Sequence, residues 1–219
     1  MKNKKNNELV KIENFLNYEN EIKIEENTFK QLMFLYQSAI KEITTKLEIL
    51  KDEFKCLYDY DLIDHIDTRI KKPESILKKM KSKEYEITYK NMIENINDIA
   101  GIRVICEMKK DIFAIKNLIE RIPGLKIIKQ KDYITKPKKS GYTSYHMIVE
   151  VPVTLSQKVI YVKVEIQIRT LAMDFWANIE HKMKYKPQNG MISDKKSKEL
   201  VACAKMITKL DNRMMLFNE

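Results

Sequence analysis

The feature that most constrains the fold is residues 162–169, where apolar and polar side chains alternate strictly. The two alternating sets are Val162, Val164, Ile166 and Ile168, and Lys163, Glu165, Gln167 and Arg169. Because successive side chains of a strand point to opposite faces, this pattern predicts a strand with one buried and one polar face. The polar face fits either a solvated sheet surface or the wall of a binding site. The alternation alone does not distinguish a solvated surface from a site wall, so the neighbouring segments are needed to choose between them.

The rest of the chain mixes helical and strand-like patterns. Apolar residues spaced three and four apart predict a long amphipathic helix over residues 28–54, which Thr28 could cap. Further helices are predicted over residues 8–18, 73–83, 87–95, 111–121, 171–184 and 194–217. Strands are predicted over residues 99–106, 125–134, 145–151 and 159–168. This order indicates an α+β fold, with a mixed sheet of about five strands surrounded by helices.

Size and composition indicate a soluble cytoplasmic protein. A chain of 219 residues fits one catalytic or binding unit better than two full domains. No apolar run approaches the roughly 20 residues of a membrane helix, and the Lys/Asn-rich start lacks the apolar core of a secretion signal. The cysteines, Cys56, Cys106 and Cys203, are odd in number and far apart, which favours reduced thiols.

The four glycines exclude the common glycine-rich phosphate loops. Neither G-x-G-x-x-G nor G-x-x-x-x-G-K-[ST] occurs, so side chains would have to hold any bound phosphate. The net charge of +10 nevertheless indicates an anionic partner. None of the three histidines lies in an H-E-x-x-H motif, so any metal is expected to be bound by oxygen.

The first chemistry-bearing segment reads R-I-K-K-P-E-S-I-L-K-K from residue 69. Ser75 and Lys79 lie four apart on one helix face, and Pro73 starts that helix, whose N-terminus suits an anion. Arg69 and Lys71 point the same way if the chain is extended. The four side chains could converge on one polyphosphate; a capped, solvated helix with ordinary lysines is the alternative.

The second segment reads N-D-I-A-G-I-R from residue 97. Asp98 stands at the mouth of a predicted strand, where a carboxylate can reach a cleft and hold Mg²⁺. Arg103 lies among apolar strand residues and is an unusual core residue unless paired, so it could line the site. A capping aspartate or a surface strand end is the alternative.

The third segment combines K-Q-K-D from residue 129 with K-P-K-K-S-G-Y-T-S-Y-H from residue 136. Gly141 permits a sharp turn that leaves Tyr142 projecting, and an aromatic side chain beside lysines can hold a base and its phosphates. The alternatives are a basic hairpin loop with Tyr142 packed on it and, for His146, a satisfied core histidine.

The fourth segment is the alternating strand and the helix after it. Glu165 has no acidic neighbour on its face and could be a second metal ligand or a base. In the helix over residues 171–184, Trp176, Glu180 and His181 are interpreted as structural residues that pack the helix and include a buried polar interaction.

In chain order these segments resemble the synthetase domain of the RelA/SpoT family. The motifs are R-I-K-x-P-E-S-I-x-x-K from residue 69, D-I-A-G-I-R from 98, K-x-x-G-Y-x-S-x-H from 138, E-I-Q-I-R-T from 165 and W-A-x-x-E-H-x-x-x-Y-K from 176. The resemblance implies a nucleotidyltransferase-like synthetase fold of the small alarmone synthetase type. It also implies a GTP diphosphokinase, which transfers the β,γ-pyrophosphate of ATP to the 3′-hydroxyl of GDP or GTP, giving ppGpp or pppGpp and AMP.

The resemblance further implies a role for each matching residue. Arg69, Lys71, Ser75 and Lys79 would hold the ATP phosphates, with Arg103 in support. Asp98 and Glu165 would hold Mg²⁺, and Glu165 would also be the base for the 3′-hydroxyl proton. Tyr142 would stack on guanine, while Lys131, Lys138, His146 and Gln167 would position the acceptor nucleotide. The implied catalytic set is Glu165, Asp98, Arg69 and Lys71.

The resemblance also implies a division of the chain and its partners. Residues 1–27 would form a tail with a short helix, residues 28–190 the synthetase domain, and residues 191–219 a helix at an oligomer interface. A homotetramer through the terminal helices is expected, and binding of alarmone or single-stranded RNA as a regulator is left open. No His-Asp dipeptide of the family's hydrolase domain occurs, so synthesis without hydrolysis is expected. Lys129 and Ser140 depart from the family pattern and leave the choice among GMP, GDP and GTP open.

Two rival functions stand beside this one. A nucleotidyltransferase that moves a nucleoside monophosphate would need paired acids behind a Gly-Ser element, and Asp59 and Asp61 have no glycine nearby. A non-catalytic RNA-binding protein would use the basic residues 126–139 and Tyr142. It leaves Asp98 and Glu165 unexplained, because carboxylates oppose a phosphate backbone unless a cation intervenes.

Overall fold

The alternating stretch of the sequence forms the central strand of a mixed sheet. The computed structural model describes residues 9–11, 26–185 and 194–218. The strands are β1 (Leu9–Lys11), β2 (His65–Ile70), β3 (Ala100–Cys106), β4 (Lys126–Asp132), β5 (Tyr145–Thr154) and β6 (Val159–Thr170). Five of them lie in the order β2-β3-β6-β5-β4, and β1 pairs with the beginning of β6. Since β6 runs parallel to β3 and antiparallel to β5, the predicted α+β fold with a mixed sheet is confirmed.

Helices flank this sheet. They are α1 (Glu26–Tyr58), α2 (Pro73–Ser82), α3 (Tyr89–Asn95), α4 (Lys109–Glu120), α5 (Leu171–Tyr185) and α6 (Asp194–Met214), the last followed by a 3₁₀ turn over Met215–Asn218. The apolar face of α1 is fully buried against β3, β5 and β6. Val164, Ile166 and Ile168 of β6 belong to the same core and are fully buried. The opposite, polar face of β6 is therefore left for a site.

Most predicted elements are observed with ends shifted by a few residues, but two differ from expectation. Residues 9–11 form a strand rather than part of a helix over residues 8–18, the remainder of which lies outside the described residues. Strand β2 was missed, because H-I-D-T-R-I is an edge strand with exposed polar side chains rather than a regular alternation. The apolar residues Phe175 and Ile179 of α5 are exposed.

In the part of the chain that the structure describes, none of the helices combines the length and hydrophobicity needed to cross a membrane. The three cysteines are free thiols, with Cys106 buried and Cys56 and Cys203 exposed.

Candidate active site

The strand register gathers the predicted site residues into two rows on one face of the sheet. The first row runs across five strands through Asp67, Arg103, Gln167, His146 and Lys131. The second row, two residues further along, contains Arg69, Gly101 and Glu165. Residues two apart on a strand share a face, so residues from four separate motifs face the same side of the sheet.

Asp98 is the centre of the donor side, where the ATP phosphates were predicted. The backbone N–H of Lys71 donates to the Ile99 carbonyl at 2.8 Å, which brings the end of β2 to the start of β3. Lys71 Nζ donates to Asp98 Oδ2 at 2.7 Å, and Lys79 Nζ lies 2.9 Å from Oδ1. Oδ1 is enclosed, and its contact with Lys79 is an ion pair rather than a directed hydrogen bond. Burial acts to raise the pKa of Asp98, but the two lysines outweigh it and lower the pKa.

Arg69 and Ser75 frame this carboxylate. Arg69 lies across Gly101, and a Cβ at Gly101 would stand only 3.2 Å from Arg69 Nε, so the glycine leaves room for the arginine. Ser75 is exposed in the first turn of α2, which starts at Pro73 with no side-chain cap on its backbone N–H groups. Helix α2 therefore offers an uncapped, positively polarised end beside the lysines.

Arg103 is half-buried beneath the donor side. Its Nη1 donates to Asn178 Oδ1 at 3.2 Å and lies 3.8 Å from Asp174 Oδ1, and both partners belong to α5. Burial and the nearby Arg169 lower the pKa of Arg103, partly offset by Asp174. Arg103 was expected to line the site, and it is in addition paired, with two residues of α5 that were not among the predicted site residues.

Tyr142 does not project as expected: it is only 8% exposed. Its hydroxyl lies 2.7 Å from His146 Nε2 and accepts from Arg169 Nη2 at 2.6 Å. The Lys138 ammonium sits 4.6 Å from the centre of its aromatic ring, and Trp176 packs beside it. The packed loop, one of the alternatives left open, is what the structure shows.

Gly141 explains why the loop turns inward. Its φ of +89° is a conformation that glycine adopts readily, and a Cβ there would stand 2.5 Å from the Cβ of Ala204 on α6. Trp176 Nε1 donates to the Leu200 carbonyl of the same helix at 2.9 Å. The packing role predicted for Trp176 is therefore confirmed, and α6 holds the loop that carries Tyr142.

Glu165 connects the two sides of the site. Gln167 Nε2 donates to its Oε2 at 2.7 Å, and His146 Nδ1 lies 3.4 Å from its Oε1. Burial acts to raise the pKa of Glu165, but His146 and Gln167 outweigh it, so the pKa is lowered. Charge repulsion from Asp98 opposes this lowering.

Two residues that organise this site, Arg169 and Asp174, were not among the predicted site residues. Arg169 was left undecided as charge on a cleft wall, yet it is 3% exposed and donates to Gln167, Tyr142, Ser144 and Asp174. Asp174 accepts from Arg169 at 2.8 Å and from Asn178 at 2.7 Å. The position of Arg169 on the polar face was the available signal, whereas nothing marked Asp174.

The remaining charged residues considered for the site lie at its edge or outside it. Lys163 donates to the carbonyls of Ile93 and Glu94 at the end of α3, so it serves that helix rather than the site. Lys131 is exposed on β4, opposite His146. His181, predicted only to pack, has a pKa lowered by burial and then by Arg69 and Arg103, so it belongs to the electrostatic environment of the donor side.

The donor set fits a magnesium ion bound together with substrate. In the described parts of the chain, no three His, Cys, Asp or Glu side chains form a cluster that could hold a metal alone. Mg²⁺ often uses only one or two carboxylates and takes its remaining ligands from water and substrate phosphates. Asp98 and Glu165 are two such carboxylates, and the enclosed Oδ1 of Asp98 lacks a directed hydrogen bond.

The sheet is mixed, carries carboxylates and cations on one face and lacks a glycine-rich phosphate loop. These features define a domain that binds nucleotide polyphosphates through side chains. A family model described as "Region found in RelA / SpoT proteins" matches residues 68–190. GTP pyrophosphokinase YwaC of Bacillus subtilis is 42% identical over 187 residues, covering 85% of this chain and 89% of that protein. GTP pyrophosphokinase YjbM of the same organism is 34% identical over 191 residues, covering 87% and 89%. The chain belongs to the RelA/SpoT family.

Solved structures agree with this assignment. Small alarmone synthetase 1 from Bacillus subtilis, bound to its product pppGpp, matches with a TM-score of 0.81 and 33% identity, covering 88% of this chain and 97% of that chain. Small alarmone synthetase 2 from the same organism matches with a TM-score of 0.79 and 39% identity, covering 88% and 98%. The match spans nearly the whole of both synthetases and confirms the small-synthetase resemblance.

Proposed function

We propose that this protein is a GTP pyrophosphokinase that transfers the β,γ-pyrophosphate of ATP to the 3′-hydroxyl of GDP or GTP. The 3′-oxygen bonds to the β-phosphorus, the bond from that phosphorus to the α–β bridging oxygen breaks, and AMP leaves. The hydroxyl proton passes to a base at the site. The products are ppGpp or pppGpp, and GMP is a further acceptor to be tested. The reaction proposed is synthesis without hydrolysis.

The observation that carries the proposal is that two carboxylates, Asp98 and Glu165, each lie beside a different group of side chains. On one side stand Lys71, Lys79 and Arg69, which suit a triphosphate. On the other stand His146 and Gln167, which suit a polar acceptor. Pyrophosphoryl transfer depends on positioning and charge neutralisation more than on covalent help from the enzyme, and this arrangement supplies both.

The donor side has to exchange partners when ATP binds. In the absence of substrate, Lys71 and Lys79 neutralise Asp98. The ATP phosphates take over the two ammonium groups and lie against the positively polarised first turn of α2, with Ser75 in that turn and Arg69 alongside. Arg103 supports the phosphates from below. The released Asp98 carboxylate then becomes available as a metal ligand.

Asp98 and Glu165 hold Mg²⁺ in this proposal. Mg²⁺ held by these two carboxylates would supply positive charge that offsets the charge of the phosphates. The lowered pKa of Glu165 keeps its carboxylate ionised, which favours the ligand role. The same lowering makes Glu165 a weak base, so its second role as acceptor of the 3′-hydroxyl proton depends on a substrate that brings the hydroxyl directly against it.

The acceptor nucleotide meets His146 and Gln167 on the sheet, with Lys138 and Lys131 at the rim for its phosphates. Stacking of guanine on Tyr142 requires that the loop first releases the ring from Trp176 and Lys138. We therefore assign stacking to the substrate-bound state and packing to the unliganded one.

The protein also has surfaces suited to self-association. Helix α1 exposes Phe34, Ile49, Leu57 and Tyr58, and helix α6 exposes Met206, Leu210 and Met214. We propose a cytoplasmic homotetramer formed through these terminal helices, around a synthetase domain of residues 28–190, with alarmone or single-stranded RNA as candidate regulators. A Leu210→Glu variant that keeps the oligomeric mass of the wild type in light scattering would remove α6 from the interface.

The direct test is incubation of purified protein with γ-labelled ATP, GDP and Mg²⁺, followed by separation of the nucleotides. A labelled guanosine product with stoichiometric AMP is expected. Its absence would reject the synthetase proposal. Repeating the assay with GTP and GMP ranks the acceptors.

A non-catalytic RNA-binding protein is the alternative function. The exposed lysines of β4 suit a phosphate backbone, but the buried Tyr142 offers no free platform for base stacking. RNA binding without nucleotide turnover in the assay above would favour it.

A further inference from the structure

Five side chains at the acceptor side form a circuit of four hydrogen bonds, completed by one longer contact between His146 and Glu165. Arg169 Nη2 donates to Tyr142 Oη at 2.6 Å, and that hydroxyl lies 2.7 Å from His146 Nε2. His146 Nδ1 lies 3.4 Å from Glu165 Oε1, and Glu165 Oε2 accepts from Gln167 Nε2 at 2.7 Å. Gln167 Oε1 returns to Arg169 Nη2 at 2.5 Å, which closes the circuit.

Arginine gives this circuit a direction, because its guanidinium only donates hydrogen bonds. Gln167 must present its carbonyl oxygen to Arg169, so its amide N–H₂ faces Glu165. Tyr142 accepts from Arg169, so its single proton is free to be donated to His146 Nε2. A neutral His146 then carries its own proton on Nδ1, the atom that faces Glu165. The circuit therefore reaches Glu165 from two directions, through Gln167 and through His146. Each route ends in an N–H group that faces one oxygen of the Glu165 carboxylate.

We infer that Arg169 is a positioning residue that sets the orientation of Gln167 and the tautomer of His146, and thereby aims both at Glu165. This inference deepens the proposed pyrophosphokinase function and rests on it for its kinetic consequences. Arg169 touches none of the reacting atoms in this role.

The surroundings of Arg169 support a fixed position. The side chain is 3% exposed, and Asp174 supplies its counter-charge at 2.8 Å. Its Nε donates to Ser144 Oγ at 3.3 Å, and that hydroxyl donates in turn to the Ile168 carbonyl at 3.3 Å. A buried guanidinium with partners on three sides cannot turn away without leaving polar groups unpaired.

A lysine cannot replace this arginine in the circuit. Lysine carries its charge on a compact ammonium rather than on a planar fork, so Arg169→Lys can keep the pair with Asp174 but cannot span it together with Gln167 and Tyr142. Arg169→Met removes charge and donors while keeping much of the apolar stem. Arg121→Met, at an exposed arginine at the end of α4, is the matched control.

The first test needs no catalysis. The chain has three histidines, so uniform ¹⁵N-histidine labelling gives three imidazoles, and His146→Gln assigns the relevant one. In unliganded protein at about pH 8.5, where an ordinary imidazole is neutral, His146 is expected to be protonated on Nδ1. Arg169→Met and Tyr142→Phe should each convert this signal to a mixture or to the Nε2–H form, and Arg121→Met should not.

The second test measures steady-state kinetics with each substrate varied in turn. Arg169→Lys and Arg169→Met should both raise the acceptor KM about tenfold or more, while the ATP KM changes little, since misplaced groups lower productive binding. A wild-type acceptor KM in Arg169→Lys would show that charge alone suffices and would overturn the inference.

The outcomes separate this inference from the proposed function. An Nε2–H tautomer in wild type, or an unchanged tautomer in Arg169→Met, overturns the inference even if the enzyme is active. Absence of pyrophosphoryl transfer in wild type rejects the proposed function, while the tautomer measurement still decides whether the circuit exists. Should Arg169→Met fail to fold, Tyr142→Phe and Arg169→Lys break the same links with smaller changes.

Discussion

The two halves of the site are built on different physical principles. The donor half, defined here as Arg69, Lys71, Lys79 and Asp98, is held by ion pairs on flexible lysine stems at the rim of the sheet. The acceptor half, defined as Tyr142, His146, Gln167 and Arg169, is buried and joined by directional hydrogen bonds. Ion pairs can exchange one anion for another, whereas a satisfied hydrogen-bond network resists rearrangement. The donor half is therefore suited to switching partners, whereas His146, Gln167 and Arg169 of the acceptor half are suited to fixed geometry and only the Tyr142 ring has to move for stacking.

The largest effect on turnover is expected at Glu165, where the donor half and the acceptor half meet. Glu165→Gln keeps the size of the side chain but removes the charge that a metal ion requires, so kcat should fall about 10³-fold or more. Folding should be retained, because the amide keeps the size of the side chain and its carbonyl oxygen can still accept from Gln167. Product formation from labelled ATP measures the first effect, and circular dichroism and thermal unfolding measure the second.

The matched control for this prediction is Glu84→Gln, at an exposed turn away from the site. Near-normal turnover of Glu165→Gln would show that Glu165 takes no part in the reaction. The donor and acceptor halves would then have no residue in common.

Tyr142→Ala tests whether the acceptor half acts on the acceptor alone. The change removes both the hydroxyl link in the hydrogen-bond circuit and the aromatic face proposed to stack on guanine. The acceptor KM should rise about tenfold or more, since a base–aromatic stack contributes roughly 1–3 kcal/mol, and the ATP KM should rise less. Steady-state kinetics with each substrate varied in turn gives the rise in the acceptor KM relative to the rise in the ATP KM.

An equal rise in both KM values would argue against stacking and against independent halves. Tyr142→Phe helps to separate the two contributions, because it keeps the aromatic face and removes only the hydroxyl.

Gly141→Ala perturbs the acceptor half through its support on α6. The new Cβ would stand 2.5 Å from the Cβ of Ala204, and the φ of +89° is unfavourable for alanine. The free energy of unfolding should fall by about 1–2 kcal/mol, with a raised acceptor KM as the loop shifts. Chemical denaturation and kinetics measure the two effects.

A second substitution separates crowding from backbone strain. Adding Ala204→Gly to Gly141→Ala removes the contact but not the strain, so it should restore only part of the stability. Full restoration would assign the whole effect to the contact with α6, and no restoration would assign it to the backbone.

Gly101→Ala is the corresponding change on the donor half, and it should be milder. Its Cβ would meet the flexible Arg69 side chain at 3.2 Å, so the arginine can move aside with little loss of stability. The ATP KM should rise about threefold while the acceptor KM stays near that of the wild type. A larger effect on the acceptor than on ATP would mean that Arg69 does not belong to the donor half.

The two halves also differ in how far the sequence could predict them. The donor residues lie in short, contiguous elements, so motif spacing and helix geometry predicted that Lys71 and Lys79 would converge, but their pairing with Asp98 was not predicted. His146, Glu165 and Gln167 followed from strand periodicity and from the resemblance to the family.

What escaped prediction depends on contacts between distant parts of the chain. The burial of Tyr142 requires α6 to pack against Gly141, and the central role of Arg169 requires Asp174 on the following helix. Strand β2 escaped because an edge strand needs no buried alternation. No local pattern reports such tertiary contacts.

The smallest predicted effect compares Asp98 with Asp211, a buried residue of α6 that accepts from Thr170 and lies outside both halves. The two carboxyl groups should respond to pH in opposite directions. Lysine partners lower the pKa of Asp98 below its ordinary 3.8, so its contribution to stability is present above that value and is lost as the pH falls through the lowered pKa. Burial raises the pKa of Asp211, so its stabilising contribution is present at low pH and is lost as the pH rises through the raised pKa.

Urea unfolding across the acidic range should therefore show the advantage of wild type over Asp98→Asn shrinking as the pH falls. The advantage over Asp211→Asn should grow over the same interval. Asp52→Asn, at an exposed position on α1, is the control for loss of an aspartate from the surface. If the differences for Asp98→Asn and Asp211→Asn followed the same trend, the lysines would not be neutralising Asp98 in the unliganded protein. The proposed exchange of partners on ATP binding would then lose its physical basis.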